Sequence, residues 1–87
     1  MKIFQLEQTK ALQILFFLDD HEEVLTTEIM EGISVDHRTL NRAMTNLTEL
    51  GLVDNEYRKG QPTKRFIWIT EKGRDVVSIL KEIENIL

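Results

Sequence analysis

The sequence contains no cysteine, one proline and four glycines among its 87 residues. Without cysteine the chain can form neither a disulfide nor a thiolate metal site, which fits an intracellular protein. The longest uninterrupted apolar run, Ile14 to Leu18, is far too short to cross a membrane. The N-terminus MKIFQLEQTK lacks the long apolar core of a signal peptide. We therefore expect a soluble cytoplasmic protein with a single small domain, residues 1–87.

Groups that carry catalysis or bind metals are also scarce. The chain has two histidines and no glycine-rich phosphate cradle, and its spacing indicates no Ser-His-Asp arrangement. His21 lies beside Glu22 and Glu23, but no other His or Cys stands at ligand spacing, so a polar loop is the favoured interpretation. We expect no enzyme activity, no metal and no cofactor. Nothing in the sequence indicates a dedicated pocket for a small-molecule effector.

The net charge of −4 is unevenly distributed along the chain. Residues 37–65 carry six Lys or Arg against three acids, a balance of +3, whereas the remainder carries five against twelve, a balance of −7. The position of charge, rather than its total, steers a charged partner. A basic segment in an acidic protein therefore remains compatible with nucleic-acid binding.

The first third of the chain predicts a helix, a short strand and a second helix. TKALQILFFLDD, residues 9–20, has apolar side chains around most of a helical circumference, which indicates burial on more than one side. In so small a domain, one of those sides is expected to meet another subunit. EEVL, residues 22–25, is a strand candidate. Thr26 or Thr27 is expected to cap a helix that ends near Ile33.

A longer helix is expected from His37 to Leu50, with Asp36 as its N-cap and Gly51 as its left-handed stop. Its apolar residues form one stripe at positions i, i+3, i+4, i+7 and i+10: Leu40, Ala43, Met44, Leu47 and Leu50.

The last third predicts a hairpin followed by a helix. LVDNEY and RFIWIT, residues 52–57 and 65–70, are strand candidates around the turn KGQP. The second strand is apolar on both faces, so its outer face is either covered by a helix or part of an interface. Thr70 is expected to cap the final helix, whose apolar residues recur every three or four positions: Val76, Ile79, Leu80, Ile83, Ile86 and Leu87. This element order is that of an α+β winged helix, with a three-helix helix-turn-helix core, a β-hairpin wing and an additional C-terminal helix.

At this point the sequence resembles the winged helix-turn-helix transcription regulators, in the broad MarR-like sense, over roughly residues 11–80. The stretches that carry the resemblance are EIMEGISVDHRTLNRAMTNLTELGLV and KRFIWITEKG. Thr39 and Arg42 stand where the family commonly has Thr and Arg, whereas Ser34 stands at a turn position where it often has Gly. The resemblance implies that residues 37–50 form a recognition helix and that the hairpin tip lies along the DNA backbone or in the minor groove.

The outer face of the predicted recognition helix carries side chains suited to DNA. Arg can bind guanine bidentately, Asn can do the same with adenine, and Thr can contact a thymine methyl group. The candidates for base contacts are His37, Arg38, Asn41, Arg42 and Thr45, while Thr39 and Asn46 are candidates for backbone contacts. Solvated surface is the alternative for any polar helix face. Here one acid, Glu49, lies within the helix, and this composition favours DNA.

The hairpin tip RKGQPTKR supplies the remaining DNA-binding candidates, Arg58, Lys59, Lys64 and Arg65. A solvated basic loop is the alternative. Trp68 could also stack on single-stranded bases, although a structural role is favoured.

We predict a homodimer that binds double-stranded DNA through these residues. Its interface is assigned to Phe16 or Phe17 together with Ile79, Ile83 and Ile86. The rival hypothesis is a winged helix protein-interaction module that does not bind DNA, which the acidity outside residues 37–65 favours slightly.

Overall fold

The computed structural model describes residues 1–60 and 62–87, and its elements follow the predicted order with one addition. A 3-10 helix (Lys2–Leu6) precedes α1 (Ala11–Asp19), β1 (Val24–Leu25), α2 (Thr26–Ile33), α3 (His37–Glu49), β2 (Val53–Arg58), β3 (Lys64–Ile69) and α4 (Glu71–Ile86). The predicted α+β winged helix is confirmed. The 3-10 helix was not predicted, because five residues are too few to show a periodic pattern. Gln61, within the predicted wing tip, lies outside the described residues.

The start of α2 differs slightly from the prediction. Its N-cap is Leu25 rather than Thr26 or Thr27, and both threonines lie inside the first turn. The Leu25 N–H donates to the Glu28 carboxylate over 2.9 Å. Because Glu28 supplies this acceptor, the amide at the helix start is satisfied without a threonine cap. After α2, Ser34 adopts the left-handed conformation with φ of 54°, at the turn position identified in the sequence.

Both predicted ends of α3 are confirmed to within one residue. The Asp36 side chain accepts the Thr39 N–H at 2.8 Å, which satisfies one of the free amides of the first turn. At the other end Gly51 has φ of 75°, and the Leu52 N–H donates to the Leu47 carbonyl at 2.9 Å. Glycine suits this left-handed position because it has no Cβ.

The three strands form an antiparallel sheet in the order β1-β3-β2. Ile67 and Ile69 of β3 are buried, whereas Phe66 and Trp68 on the opposite face are half-buried. The Arg58 guanidinium lies 4.2 Å from the Phe66 ring centroid. Phe66 is thus covered by a side chain of the neighbouring strand. The sequence had predicted either a covering helix or an interface at this face.

The core lies around α1, which packs against α2, α3, α4 and β3. Ile14, Leu15 and Leu18 of α1 are almost completely buried. Phe16 is only 8% exposed and meets Phe4 of the 3-10 helix edge to face, with ring centroids 5.5 Å apart. Phe16 is therefore covered largely by its own chain, which argues against its predicted place in a dimer interface.

The segment TEKG, residues 70–73 at the start of α4, makes hydrogen bonds to the end of α3. Thr70 accepts the Gly73 N–H, which confirms the predicted cap, and donates its hydroxyl to the Gly51 carbonyl at 2.6 Å. The Lys72 ammonium donates to the Leu50 carbonyl at 2.7 Å, where the helix dipole favours a cation. These contacts hold α4 against the C-terminus of α3.

Gly73→Ala is expected to destabilise the protein by about 1–3 kcal/mol, the usual cost of overpacking a core. A Cβ at this position would collide with the Leu52 carbonyl oxygen and come within 2.6 Å of Ile69 Cγ1. Since the first obstacle is backbone, a rotamer change cannot relieve it. Urea unfolding of the variant would measure the loss. An unchanged midpoint would show that α4 can shift away from Leu52 at no cost.

Candidate nucleic-acid interface

Helix α3 is amphipathic, and its polar face is open to solvent. Leu40, Ala43, Met44 and Leu47 are buried, so the opposite side is presented outward. The exposed candidates on α3 are His37, Arg38, Asn41, Arg42, Thr45 and Asn46, while Thr39 is half-buried. The first turn combines His37 and Arg38 with free backbone amides, which favour a nearby phosphate.

Two of the α3 candidates already have partners within the protein. The Thr45 hydroxyl donates to the Asn41 carbonyl oxygen at 3.0 Å, a bond internal to the helix. The Asn41 side-chain oxygen lies 3.5 Å from Nη1 of Arg65, at the outer limit of a hydrogen bond. Arg38 and Arg42 form no ion pair with any described residue. Their charges are therefore available to an anionic partner.

Arg65 connects the recognition helix with the wing. Its Nε donates to the Asn55 side-chain oxygen at 3.2 Å, and its guanidinium lies 5.6 Å from the Tyr57 ring centroid. It is half-buried at one side of a groove between α3 and the sheet, lined also by Asn41, Thr45 and Glu49. The sequence places Arg65 in the wing, but only the fold brings it to the helix.

The other wing candidates divide into two kinds. Lys59 and Lys64 are exposed and form no ion pair within the described ranges. Arg58 instead makes a bidentate ion pair with Glu23, with distances of 2.7 and 2.8 Å, and lies 3.5 Å from Glu56. The hydrogen bonds that Arg58 donates to Glu23 lower the pKa of the Glu23 carboxyl and raise the pKa of the Arg58 guanidinium, so both groups remain charged at neutral pH.

Gln8 and Thr9 lie near the recognition helix, although no sequence pattern pointed to them. These residues line a shallow notch together with Thr39 and Arg42. Sequence spacing could not identify them, because they precede α3 by nearly thirty positions. They add uncharged polar groups to the surface around Arg42.

Asp36→Ala is expected to lower the melting temperature by a few degrees at neutral pH, because the first turn of α3 loses its capping acceptor. Hydrogen bonds from Thr39 lower the pKa of Asp36. A carboxyl whose folded pKa is depressed stabilises the protein above its unfolded pKa, and this stabilisation disappears as the pH falls through the folded value. Thermal melts at pH 7 and near pH 2.5 would therefore differ less for the variant than for the wild type. Parallel pH profiles would contradict the capping role.

Apolar side chains are exposed along α4. Ile79 is 59% exposed, Ile83 38% and Ile86 85%. Leu6 and Leu87 are also exposed and line one notch together. By contrast Phe17, the remaining predicted interface residue, is half-buried and stacks on His21 at 4.3 Å. The apolar residues predicted for the interface are therefore exposed on α4 and not on α1.

No helix in the described parts of the chain is long and apolar enough to cross a membrane. The helix-turn-helix, the basic wing and the open polar face of α3 define a winged helix-turn-helix protein. More specifically, the chain belongs to the HxlR-like helix-turn-helix family, whose model matches residues 7–87. This membership confirms the predicted resemblance to winged helix-turn-helix proteins.

Solved structures of regulators share the fold. The reduced form of the transcriptional regulator YodB from B. subtilis has a TM-score of 0.79 and 21% identity, with 97% of this chain and 82% of that one covered. A MarR-family protein from Porphyromonas gingivalis W83 has a TM-score of 0.79 and 22% identity, with 98% and 81% covered. A PadR-like transcription factor from bacteroid fragilis has a TM-score of 0.76 and 18% identity, with 98% and 90% covered. No curated protein sequence matches the chain.

Proposed function

We propose that the protein is a cytoplasmic, homodimeric transcriptional regulator that binds a specific site in double-stranded DNA. The recognition helix α3 lies in the major groove, and the wing follows the phosphate backbone. The observation that carries this proposal is that Arg38 and Arg42, on the exposed face of α3, form no ion pair with any residue that the structure describes. Family membership supports DNA binding in general, while the site residues and the recognition mode are proposed from their chemistry.

Each part of the surface has a separate role in this proposal. Arg42, Arg38 and Asn41 contact base edges, because guanidinium and amide groups match the hydrogen-bonding patterns of the major groove. His37, Thr39, Thr45 and Asn46 complete the contact surface of the helix. Lys59, Lys64 and Arg65 neutralise phosphates, so binding weakens as the salt concentration rises.

The apolar residues of α4 support a homodimer. Ile79, Ile83 and Ile86 are spaced by four and three residues, which places them along one side of a helix. Two copies joined through this side would bury side chains that are otherwise in contact with water. A dimer of this kind reads two half-sites about one helical turn apart, so the target site is expected to be roughly palindromic.

The second candidate function is a protein-interaction module. The observation that favours it is the exposed side of α2, which carries Glu28 and Glu31 and no Lys or Arg. In a helix-turn-helix the first helix crosses the DNA backbone, where carboxylates are unfavourable. The basic residues of α3 and the wing favour DNA more strongly.

Fluorescence anisotropy distinguishes the two functions. The full chain is titrated against a duplex from the region upstream of its own coding sequence and against an unrelated duplex of equal length, at two salt concentrations. A preference for the upstream duplex, with affinity that falls as salt rises, supports the regulator. Salt-dependent binding without preference contradicts the assignment of the upstream region as target. Absence of binding at low salt favours the protein-interaction module.

A further inference from the structure

Arg58 differs from the other basic residues of the wing because its charge is already matched. Its Nη1 and Nη2 atoms donate to the two carboxylate oxygens of Glu23 at 2.7 and 2.8 Å. Glu56 lies 3.5 Å from Nη2, and the Phe66 ring lies 4.2 Å from the guanidinium carbon. Two carboxylates therefore surround one guanidinium, so the cluster of Glu23, Glu56 and Arg58 carries a net charge of −1.

The sheet order explains how residues so far apart in sequence meet. Strand β3 lies between β1 and β2, and Glu23 immediately precedes β1. Arg58 is the last residue of β2, so its side chain reaches over Phe66 of β3 to arrive at Glu23. The contact thus spans the width of the sheet and ties the end of β2 to the loop before β1.

The side chains of Arg58 and Arg65 lie on opposite faces of the hairpin. Arg58 pairs directly with Lys64 across the strands, and successive residues of a strand alternate between faces. Arg65 therefore lies on the face toward α3, where it meets Asn55 and Asn41. Arg58 lies on the outer face with Phe66. A phosphate approaching from α3 meets Arg65 first, and one approaching the outer face meets Lys64 together with the two carboxylates beside Arg58.

We propose that Glu23 withholds Arg58 from DNA, so that Arg58 is a positioning residue of the wing and not one of its phosphate contacts. This assignment depends on the proposed DNA binding and revises the sequence-based prediction for Arg58. Glu23 acts as a latch: it fixes the wing against the body of the protein and lowers the general affinity for DNA. The pair is partly exposed, with 42% and 39% of the Arg58 and Glu23 side chains accessible, so removing one partner frees the other without leaving a buried charge.

The latch is tested by measuring how affinity for an unrelated duplex depends on salt concentration. The proteins compared are the wild type and the variants Arg58→Gln, Glu23→Gln, Lys64→Gln and Glu22→Gln. Each phosphate contact contributes about 0.9 to the slope of log affinity against log salt. Lys64→Gln is expected to reduce the slope by about 0.9, and Arg58→Gln to leave it unchanged. Glu23→Gln is expected to steepen it by up to about 0.9, which adds roughly 3.5-fold to the loss of affinity between 50 and 200 mM salt.

Glu22→Gln is the matched control, because it removes the same charge one position away from Glu23. Glu22 forms no ion pair within the described residues. It is expected to behave like wild type. The double variant with Glu23→Gln and Arg58→Gln is expected to match Arg58→Gln alone, since the released cation is then missing. Thermal melts establish that each variant is folded.

Two results would overturn the latch. Arg58→Gln could reduce the slope as much as Lys64→Gln does, which would make Arg58 a phosphate contact. Alternatively Glu23→Gln could match Glu22→Gln, which would show that the ion pair withholds nothing. Should Arg58→Gln fail to fold, the comparison of the two glutamate variants decides alone. Absence of DNA binding by the wild type would instead refute the proposed function, and the latch with it.

Discussion

Arg42→Ala is expected to reduce the preference for the target site by about 1–3 kcal/mol, which corresponds to roughly 5- to 150-fold. Arg42 is exposed on α3 and forms no ion pair with the described residues, so its five donors are available to a base pair. The loss should appear mainly with the target duplex and only weakly with an unrelated one. Anisotropy titrations of both duplexes at the same salt concentration measure this difference.

Arg42→Lys separates geometry from charge in the same experiment. Lysine keeps the positive charge but lacks the planar fork that binds guanine O6 and N7 together. This variant is expected to retain the affinity for an unrelated duplex while losing most of the preference. If both variants kept the wild-type preference, α3 would not read the site through Arg42, although the protein could still bind DNA through the wing.

Replacement of both Ile79 and Ile86 by Lys is expected to produce a monomer. These residues are 59% and 85% exposed, so charges there should disturb the core little while opposing contact between two copies. A monomer loses the avidity of two linked half-sites, commonly worth about 10²–10⁴-fold. Affinity for a palindromic target should therefore fall by at least about 100-fold, while affinity for a single half-site changes little. Sedimentation equilibrium measures the oligomeric state, and anisotropy measures the two affinities.

Ser78→Lys provides a control for this experiment, because Ser78 is an exposed residue next to Ile79 that faces a different direction on α4. It is expected to leave both the oligomeric state and the affinity unchanged. A dimer that persists in the double lysine variant would place the interface elsewhere. A wild-type monomer in sedimentation would refute the proposed homodimer directly.

Several features of this protein were determined locally and could be predicted from the sequence. Asp36 caps α3 through Thr39, Gly51 ends it, and Thr70 caps α4 through Gly73. Each of these contacts joins residues at most a few positions apart, so the residue types alone indicate them. The amphipathic pattern of α3 likewise assigns its polar face, because helical periodicity does not depend on the rest of the fold.

The tertiary structure decided which of those local features acquired partners. Phe16 is covered by Phe4 of a 3-10 helix that has no periodic pattern, so little of Phe16 remains accessible to a second copy. Arg58 reaches Glu23 only because β3 lies between β1 and β2, and Arg65 reaches Asn41 only because the wing folds beside α3. In both cases the sequence identified an arginine in a basic turn. Whether its guanidinium met a hydrogen-bond acceptor depended on residues 35 and 24 positions away, and only chain folding brings such residues within hydrogen-bonding distance.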